Sequence, residues 1–232
     1  MIYIFDVDGT LTKSRNKMDL SFSQFFYDFS EHNRVWLISG SDKDKTIEQV
    51  GSTIWHKVER AYQCSGNQLF QNGKLIKENK FELPVQTRVC LETFLEESEY
   101  PHRFGNHIEE RPGMVNFSIV GRNCTQKQRD DYFKWDKKNR EREYSAWEIR
   151  ERFNFLDAVV GGEISIDIYK KGQDKGQIVD DVDDNFTFFG DKLEEGGNDY
   201  PIARQLIKRK LKGNKIHHVK SWRDTQELLY SI

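Results

Sequence analysis

Two carboxylates follow an apolar run near the amino terminus, in the sequence Ile2-Tyr3-Ile4-Phe5-Asp6-Val7-Asp8-Gly9. A short apolar run that ends in a turn signal is typical of a buried strand in a parallel sheet, and open α/β sheets bind ligands at the carboxyl ends of such strands. Strand alternation predicts that the side chains of Asp6 and Asp8 point the same way. Because two like charges at that distance repel, the pair is expected to bind a divalent cation or to raise one pKa. The alternative is an edge strand that runs into an Asp-Gly turn.

Two further apolar runs also end in polar residues. The run from Val35 to Ile38 is followed by the hydroxyls of Ser39 and Ser41, and the run ending at Phe189 is followed by Asp191. A helix predicted over 43–50 would present its N-terminal amides to an anion. An ordinary turn between a strand and a helix is the alternative, since Ser and Gly are common there.

Composition limits the function classes. The chain has 232 residues, which suits one domain with an inserted lobe or two modest domains, and its 36 basic and 38 acidic residues leave a net charge of −2. Such a balance does not indicate a nucleic-acid partner. No apolar stretch is long enough to cross a bilayer, and only five residues precede Asp6, too few for a signal peptide. The three cysteines lack metal-ligand spacing, so a cytoplasmic protein with reduced thiols and no membrane contact is expected.

Periodicity predicts the remaining elements. Helices are predicted over 20–30, 85–97, 125–135 and 145–153, and strands over 62–70, within 108–122, over 158–169 around a turn, and over 185–192. Asn72-Gly73 predicts a tight hairpin. The mixed-sign run over 137–143 and the acidic run over 180–184 are predicted to be solvated surface.

The Asp6–Thr10 motif resembles the first motif of the haloacid dehalogenase superfamily, and the whole chain is similar to the eukaryotic-type phosphomannomutases. Six stretches occur in that family's order. They are DVDGTLT…R over 6–15, GSD over 40–42, R-x-GM-x-N…GR over 111–122, GG-x-IS-x-D over 161–167, DK at 174–175 and FFGDK…GGND over 188–199.

The resemblance implies an α/β fold, with a Rossmann-like parallel-sheet core over 1–80 and 173–232 and an inserted α+β cap over 81–172 that holds an antiparallel sheet and helices. It implies interconversion of mannose 6-phosphate and mannose 1-phosphate through an aspartyl-phosphate and a hexose 1,6-bisphosphate, as a step toward GDP-mannose. The alternatives are a magnesium-dependent sugar-phosphate phosphatase of the same superfamily and a non-catalytic sugar-phosphate binding module.

The core roles that the resemblance implies centre on Asp6 as the nucleophile and Asp8 as the general acid and base. Lys175 would offset the charge on Asp6, and either Ser39 or Ser41 would donate a hydrogen bond to the phosphoryl group. Mg²⁺ would be held by Asp6, Asp8 and Asp191, with the backbone carbonyl of Asp8 as the usual ligand.

The cap roles implied by the resemblance concern the sugar and its second phosphate. Guanidinium groups match phosphate oxygens bidentately. The substrate-binding residues are expected to be Arg111, Arg122 and Arg129 for the distal phosphate, Asn116, Ser165 and Asp167 on the cap, and Arg15 from the core. Hexose 1,6-bisphosphate is the expected activator, and a homodimer through the cap is the expected assembly.

The chain departs from the family pattern at three places. Pro112 follows Arg111 where the family has Asn, and Cys64-Ser65-Gly66 stands where the family has Glu-Asn-Gly. Residues 202–205 are Ile-Ala-Arg-Gln, without the acidic residue that the family ties to a second cation. The sequence therefore does not predict that second cation site.

Overall fold

The computed structural model describes residues 1–209 and 213–232, with the backbone alone described at 206–209. The chain forms two compact units. The core unit comprises Met1–Asn79 and Asp174–Ile232, and the inserted unit comprises Lys80–Gln173. These limits differ by one residue at each junction from the domain ranges that the resemblance implies.

The core unit contains a sheet in the strand order β11-β10-β1-β2-β3-β4-β5. Its strands are β1 (Ile2–Asp6), β2 (Arg34–Ile38), β3 (Arg60–Gln63), β4 (Gln68–Gln71), β5 (Lys74–Glu78), β10 (Phe186–Gly190) and β11 (Lys215–His218). The five strands from β11 to β3 are parallel, whereas β4 and β5 are antiparallel. The predicted parallel-sheet α/β core is therefore confirmed, with an antiparallel hairpin at one edge.

The core unit also contains helices, of which the first two begin with side-chain caps. The helices are α1 (Leu20–His32), α2 (Lys43–Val50), α3 (Ser52–Lys57), α7 (Tyr200–Arg209) and α8 (Trp222–Leu229). The Asp19 carboxylate accepts from the first amides of α1, and Asp42 accepts from Lys45 N in α2. Phe22 and Phe26 of α1 are buried, and the Phe26 ring lies 5.0 Å from that of Phe5 on β1. This contact holds α1 against the strand that ends at Asp6.

The inserted unit contains an antiparallel sheet in the order β6-β7-β9-β8. Its elements are α4 (Val85–Glu97), β6 (Ile108–Arg111), β7 (Met114–Phe117), α5 (Gln126–Asn139), α6 (Glu141–Arg152), β8 (Leu156–Gly161) and β9 (Ser165–Lys170). Because strands alternate, Val115, Phe117, Ile166 and Ile168 join the apolar cluster that also contains Ile149 of α6. The intervening residues lie on the opposite face of the sheet, the polar face, which carries Arg111, Asn116, Ser165 and Asp167 of the predicted cap ligands. The predicted α+β insert is confirmed.

Two predictions of local structure are wrong. The strand expected over 62–70 is broken at Cys64–Gly66, because Cys64 and Ser65 adopt left-handed φ values of 52° and 59° that a strand cannot include. The run over 137–143 is not uniformly solvated, since Arg142 is 4% exposed. Its guanidinium is buried because it pairs with the carboxylate of Asp136, 2.7 Å away. The hairpin at Asn72-Gly73 is confirmed between β4 and β5.

Candidate active site

Sheet register brings three of the predicted core residues to one edge. Asp6 ends β1 and is the register partner of Ile38, the last residue of β2, so Ser39 begins the next segment beside it. On the other side of β1, Phe5 is the partner of Phe189, and Asp191 follows β10 directly. The carboxyl ends of parallel strands lie at the same edge of a sheet, which places these groups together.

Asp8 lies beside this edge for a different reason from the predicted one. The strand ends at Asp6, because the Val7 carbonyl accepts the amides of Leu11 and Thr12 and Gly9 turns the chain with a φ of +86°. Strand alternation therefore does not extend to Asp8, because β1 ends two residues before it. The Asp8 carboxylate instead accepts from Gln49 Nε2 and from the Arg15 amide, each at 2.9 Å. A turn and a helix side chain thus orient Asp8.

Lys175 is held between two buried carboxylates. Its Nζ donates to Asp6 Oδ1 at 2.5 Å and to Asp199 Oδ1 at 2.7 Å, and the side chains of all three residues are at most 4% exposed. Lys175 begins the 3₁₀ helix Lys175–Asp181, whose N-cap is Asp174. Asp199 lies within the GGND stretch but was not among the residues predicted for the site. Its place eight residues after Asp191 in a shared motif was the signal that it belongs to the site.

The electrostatics of the site are those of excess negative charge. Burial and the neighbouring charge of Asp199 raise the pKa of Asp6 well above its ordinary value, although Lys175 opposes that rise. Burial and Asp199 likewise raise the pKa of Asp191 to about 6. Burial alone would lower the pKa of Lys175, but the charges of Asp199 and Asp6 outweigh it and raise that pKa. Lys175 contacts two of the three carboxylates, and the charges of Lys192 and Lys175 oppose the rise in the pKa of Asp191.

This donor set fits a divalent cation. One oxygen each from Asp6, Asp191 and Asp199 lies within 4.8 Å of the others, and this is the metal-ligand cluster found among residues 1–209 and 213–232. Carboxylate oxygens are the ligands that Mg²⁺ prefers. A bound cation would also compensate the negative charge of the carboxylates that Lys175 does not neutralise. The cluster contains Asp199 and does not include the Asp8 carboxylate. A Cβ at Gly9 would meet Asp191 Oδ2 at 2.3 Å, so the turn closes tightly on the cluster.

Ser39 and Ser41 both lie in the turn between β2 and α2. Ser39 is buried, and its Oγ accepts the Ser41 amide at 3.0 Å, while Ser41 is half-buried. Arg15 lies in the same unit, in a left-handed conformation with φ 59°, and its side chain is exposed. Its contact with Asp8 is through the backbone amide.

Each of the three predicted arginines of the inserted unit has an acidic partner. Glu109 accepts from Arg111 Nε at 2.8 Å and from Arg122 Nε at 3.0 Å, so one carboxylate bridges two guanidinium groups. Arg122 Nη1 also donates to Ser165 Oγ at 2.8 Å. Arg129, on α5, has its Nε 3.4 Å from Glu163 Oε2. Neither glutamate was among the residues predicted from the sequence.

Polar groups beside these arginines leave capacity for a ligand. Asn116 and Asp167 are register partners on β7 and β9, and Asn116 Nδ2 donates to Asp167 Oδ1 at 2.6 Å. Asn116 Oδ1 and Arg129 Nη1 are buried atoms with no hydrogen-bond partner. An unpartnered guanidinium donor inside a protein is costly, and an anionic oxygen would satisfy it. The polar face can therefore bind an anion next to hydroxyl groups.

Known proteins resemble this chain along most of its length. The family model described as eukaryotic phosphomannomutase matches residues 22–232, a range that begins after Asp6 and Asp8. A phosphomannomutase from Encephalitozoon cuniculi is 35% identical over 213 residues, which cover 87% of this chain and 83% of that protein. A phosphomannomutase from Arabidopsis thaliana is 34% identical over 212 residues, covering 87% of this chain and 86% of that protein.

Solved structures share the fold at low sequence identity. The C-terminal domain of a C. albicans trehalose-6-phosphate phosphatase has a TM-score of 0.68 at 16% identity, covering 98% of this chain and 90% of that one. A haloacid dehalogenase-like hydrolase from Bacteroides thetaiotaomicron has a TM-score of 0.60 at 11% identity, covering 98% of both chains. At such identities the likeness establishes a haloacid dehalogenase-like fold.

None of the helices in the part of the chain that the structure describes is long and apolar enough to span a membrane.

Proposed function

This chain belongs to the eukaryotic phosphomannomutase family, and we propose that it is an enzyme that interconverts mannose 6-phosphate and mannose 1-phosphate through a phosphorylated Asp6 and a hexose 1,6-bisphosphate. The observation that carries the proposal is the buried contact of Lys175 with Asp6 and Asp199. A protein that only binds sugar phosphates has no use for a buried carboxylate whose neighbours are a cation and two further carboxylates. A nucleophilic carboxylate that must accept a phosphoryl group does require such neighbours.

The proposed reaction is a pair of in-line transfers through one carboxylate. With Asp6 phosphorylated, the C6 hydroxyl of mannose 1-phosphate attacks phosphorus, Asp8 accepts the hydroxyl proton, and the bond between phosphorus and Asp6 breaks. The resulting bisphosphate then presents its C1 phosphoryl group. Asp6 attacks that phosphorus, the bond to the C1 oxygen breaks, and Asp8 returns the proton to that oxygen. Mannose 6-phosphate leaves, and Asp6 is phosphorylated again.

The core residues prepare Asp6 for this chemistry. Lys175 offsets the charge on Asp6 as an anionic phosphoryl group approaches, and the hydroxyl of Ser39 or Ser41 donates to the phosphoryl oxygens. Asp6, Asp191 and Asp199, with the backbone carbonyl of Asp8, would hold Mg²⁺. When bound, the metal neutralises charge on the phosphoryl group and so lowers its repulsion from the carboxylate.

The inserted unit binds the phosphate that is not reacting. Arg111, Arg122 and Arg129 recognise that group, while Asn116, Ser165 and Asp167 bind sugar hydroxyls. The buried, unpartnered Nη1 of Arg129 supports this role. Because the two phosphates of the bisphosphate alternate at Asp6, the other site must accept either end of the sugar. A cluster of guanidinium groups suits that requirement, since it recognises phosphate and not the sugar carbon attached to it.

A product assay tests the proposal. The protein is incubated with Mg²⁺, mannose 1-phosphate and a trace of mannose 1,6-bisphosphate, and both mannose 6-phosphate and free phosphate are followed. We expect mannose 6-phosphate from the wild type and none from Asp6→Asn, with the unfolding midpoint of the variant close to that of the wild type. Free phosphate without mannose 6-phosphate would contradict the proposal and indicate the phosphatase reaction instead.

A further inference from the structure

Arg142 is a buried cation that the proposed reaction does not use. It lies near the start of α6 with its side chain 5% exposed, and its Nε donates to Asp136 Oδ2 at 2.7 Å. The other carboxylate oxygen of Asp136 accepts the Arg142 amide at 2.9 Å. Asp136 therefore fixes both the start of α6 and the direction of the Arg142 side chain.

The free end of that side chain contacts one short stretch of backbone. Arg142 Nη1 lies 3.4 Å from the Gly161 carbonyl oxygen, 3.2 Å from that of Gly162 and 3.4 Å from that of Ser165. These three carbonyl groups belong to residues 161–165, which comprise the β8–β9 turn and the strand residue at each end of it. One guanidinium nitrogen is thus shared among acceptors at both ends of the turn.

The same turn carries the partners of two arginines of the proposed phosphate site. Glu163 is the partner of Arg129, and Ser165 accepts from Arg122. The turn also approaches the sugar-binding residues, because a Cβ at Gly161 would meet Asp167 Oδ2 at 2.6 Å. A shift of this backbone would therefore move Glu163 and Ser165 together, and with them the guanidinium groups that they hold.

We propose that Arg142, held by Asp136, is a positioning residue that fixes the β8–β9 turn and thereby sets the spacing of Arg122 and Arg129. A buried ion pair is weak evidence for stability as such, because desolvation offsets its attraction. Its geometry indicates a positioning role, since its outer nitrogen is directed at backbone carbonyls and not at solvent. The inference rests on the proposed function, in which those arginines bind the second phosphate.

The test compares Arg142→Lys, Arg142→Met and Arg122→Ala in the full chain, with KM and kcat measured for mannose 1-phosphate in the assay above. Lysine keeps the charge pair with Asp136 but cannot reproduce the planar guanidinium contact. We expect Arg142→Lys to raise KM about tenfold with kcat changed less than about threefold, the pattern of lost substrate binding. Arg142→Met should raise KM further.

A double variant separates positioning from general damage. If Arg142 acts through Arg122, Arg142→Lys should raise KM by clearly less in the Arg122→Ala background than in the wild type. Arg150→Met is the matched control, because Arg150 also lies on α6 and donates to a β8 carbonyl, that of Ala158, outside the turn. Arg150→Met should leave KM unchanged. Urea unfolding of every variant measures its loss of stability separately from its effect on KM.

The outcomes distinguish the two proposals. If Arg142→Lys lowers the unfolding midpoint but leaves KM unchanged, or if its effect on KM is the same in both backgrounds, the proposal that Arg142 sets the spacing of Arg122 and Arg129 is wrong. If Arg122→Ala itself leaves KM unchanged, the proposed phosphate site is wrong, whatever Arg142 does.

Discussion

At the scale of single residues, the site depends on a charge imbalance around Lys175. Its ammonium group contacts Asp6 and Asp199, whose carboxylate cluster also contains Asp191, and burial strengthens these interactions because little water screens them. The motif at Asp6 predicted the residue that we propose as the nucleophile, and the resemblance indicated Lys175 and Asp191. The shared GGND stretch contains Asp199, but its role was not predicted, because that role arises from contact with Lys175, 24 residues earlier in the chain.

Asp199→Asn tests this arrangement. The amide keeps the shape and an acceptor for Lys175 but removes one negative charge from the cluster. Lys175 would then pair more strongly with Asp6, which makes Asp6 a poorer nucleophile, and the cation would lose a ligand. We expect the apparent affinity for Mg²⁺ to fall by about 10–100-fold, as is typical when a group that supports a metal site is removed. We also expect a lower kcat at saturating Mg²⁺.

A matched control for this variant is Asp183→Asn. Asp183 is an exposed carboxylate that pairs with Arg34 in the same unit, and exposed pairs of this kind contribute little. It should not alter the Mg²⁺ titration. An Asp199→Asn enzyme with the wild-type Mg²⁺ dependence and kcat would show that Asp199 merely fills space beside Lys175.

At the scale of elements, the strand ends followed from the sequence and the turns did not. The apolar runs at β1, β2 and β10 end within two residues of their predicted limits, because burial of a parallel strand leaves a continuous apolar signal. The turn that holds Asp8 depends on the Val7 carbonyl and on Gln49 from α2, contacts that no local pattern records. The break at Cys64–Gly66 is a similar case.

The junction of α5 and α6 gives a pH-dependent prediction. Burial raises the pKa of Glu141, although hydrogen bonds from Ser98 and Tyr132 oppose that rise. A carboxyl group whose folded pKa is raised binds its proton more tightly in the folded state. It therefore lowers the free energy of unfolding as the pH rises from its unfolded pKa through its folded pKa.

Glu141→Gln should remove the destabilisation that the buried, charged Glu141 carboxylate causes. The neutral amide can still accept the Tyr132 hydroxyl, which lies 3.1 Å from Glu141 Oε2. We expect the variant to be more stable than the wild type at pH 7, and this difference to shrink as the pH falls toward 4 and the wild-type carboxyl becomes protonated. Urea unfolding at several pH values measures it. A difference that is independent of pH, or that grows in acid, would contradict the assignment of burial as the dominant cause.

At the scale of the whole molecule, the chain order explains how much the sequence could show. The core unit is assembled from two segments separated by the inserted unit, and each unit has its own apolar clusters. Motif order indicated the insertion, because the first two motifs precede the cap motifs and the last two follow them. The sequence did not predict the roles of four charged residues, because charged residues in mixed runs usually lie on the surface. They are the acidic partners Glu109 and Glu163 and the buried pair of Asp136 and Arg142.

The central claim is that Asp6 carries a phosphoryl group and passes it to a sugar. The most direct measurement follows a radiolabelled phosphoryl group from hexose 1,6-bisphosphate onto the protein, locates it by peptide mapping, and then adds unlabelled mannose 1-phosphate. We predict an acyl-phosphate on Asp6, absent from Asp6→Asn, whose label moves into mannose bisphosphate and mannose 6-phosphate faster than it appears as free phosphate. Label on another residue, or label released only to water in the presence of the sugar, would contradict the account.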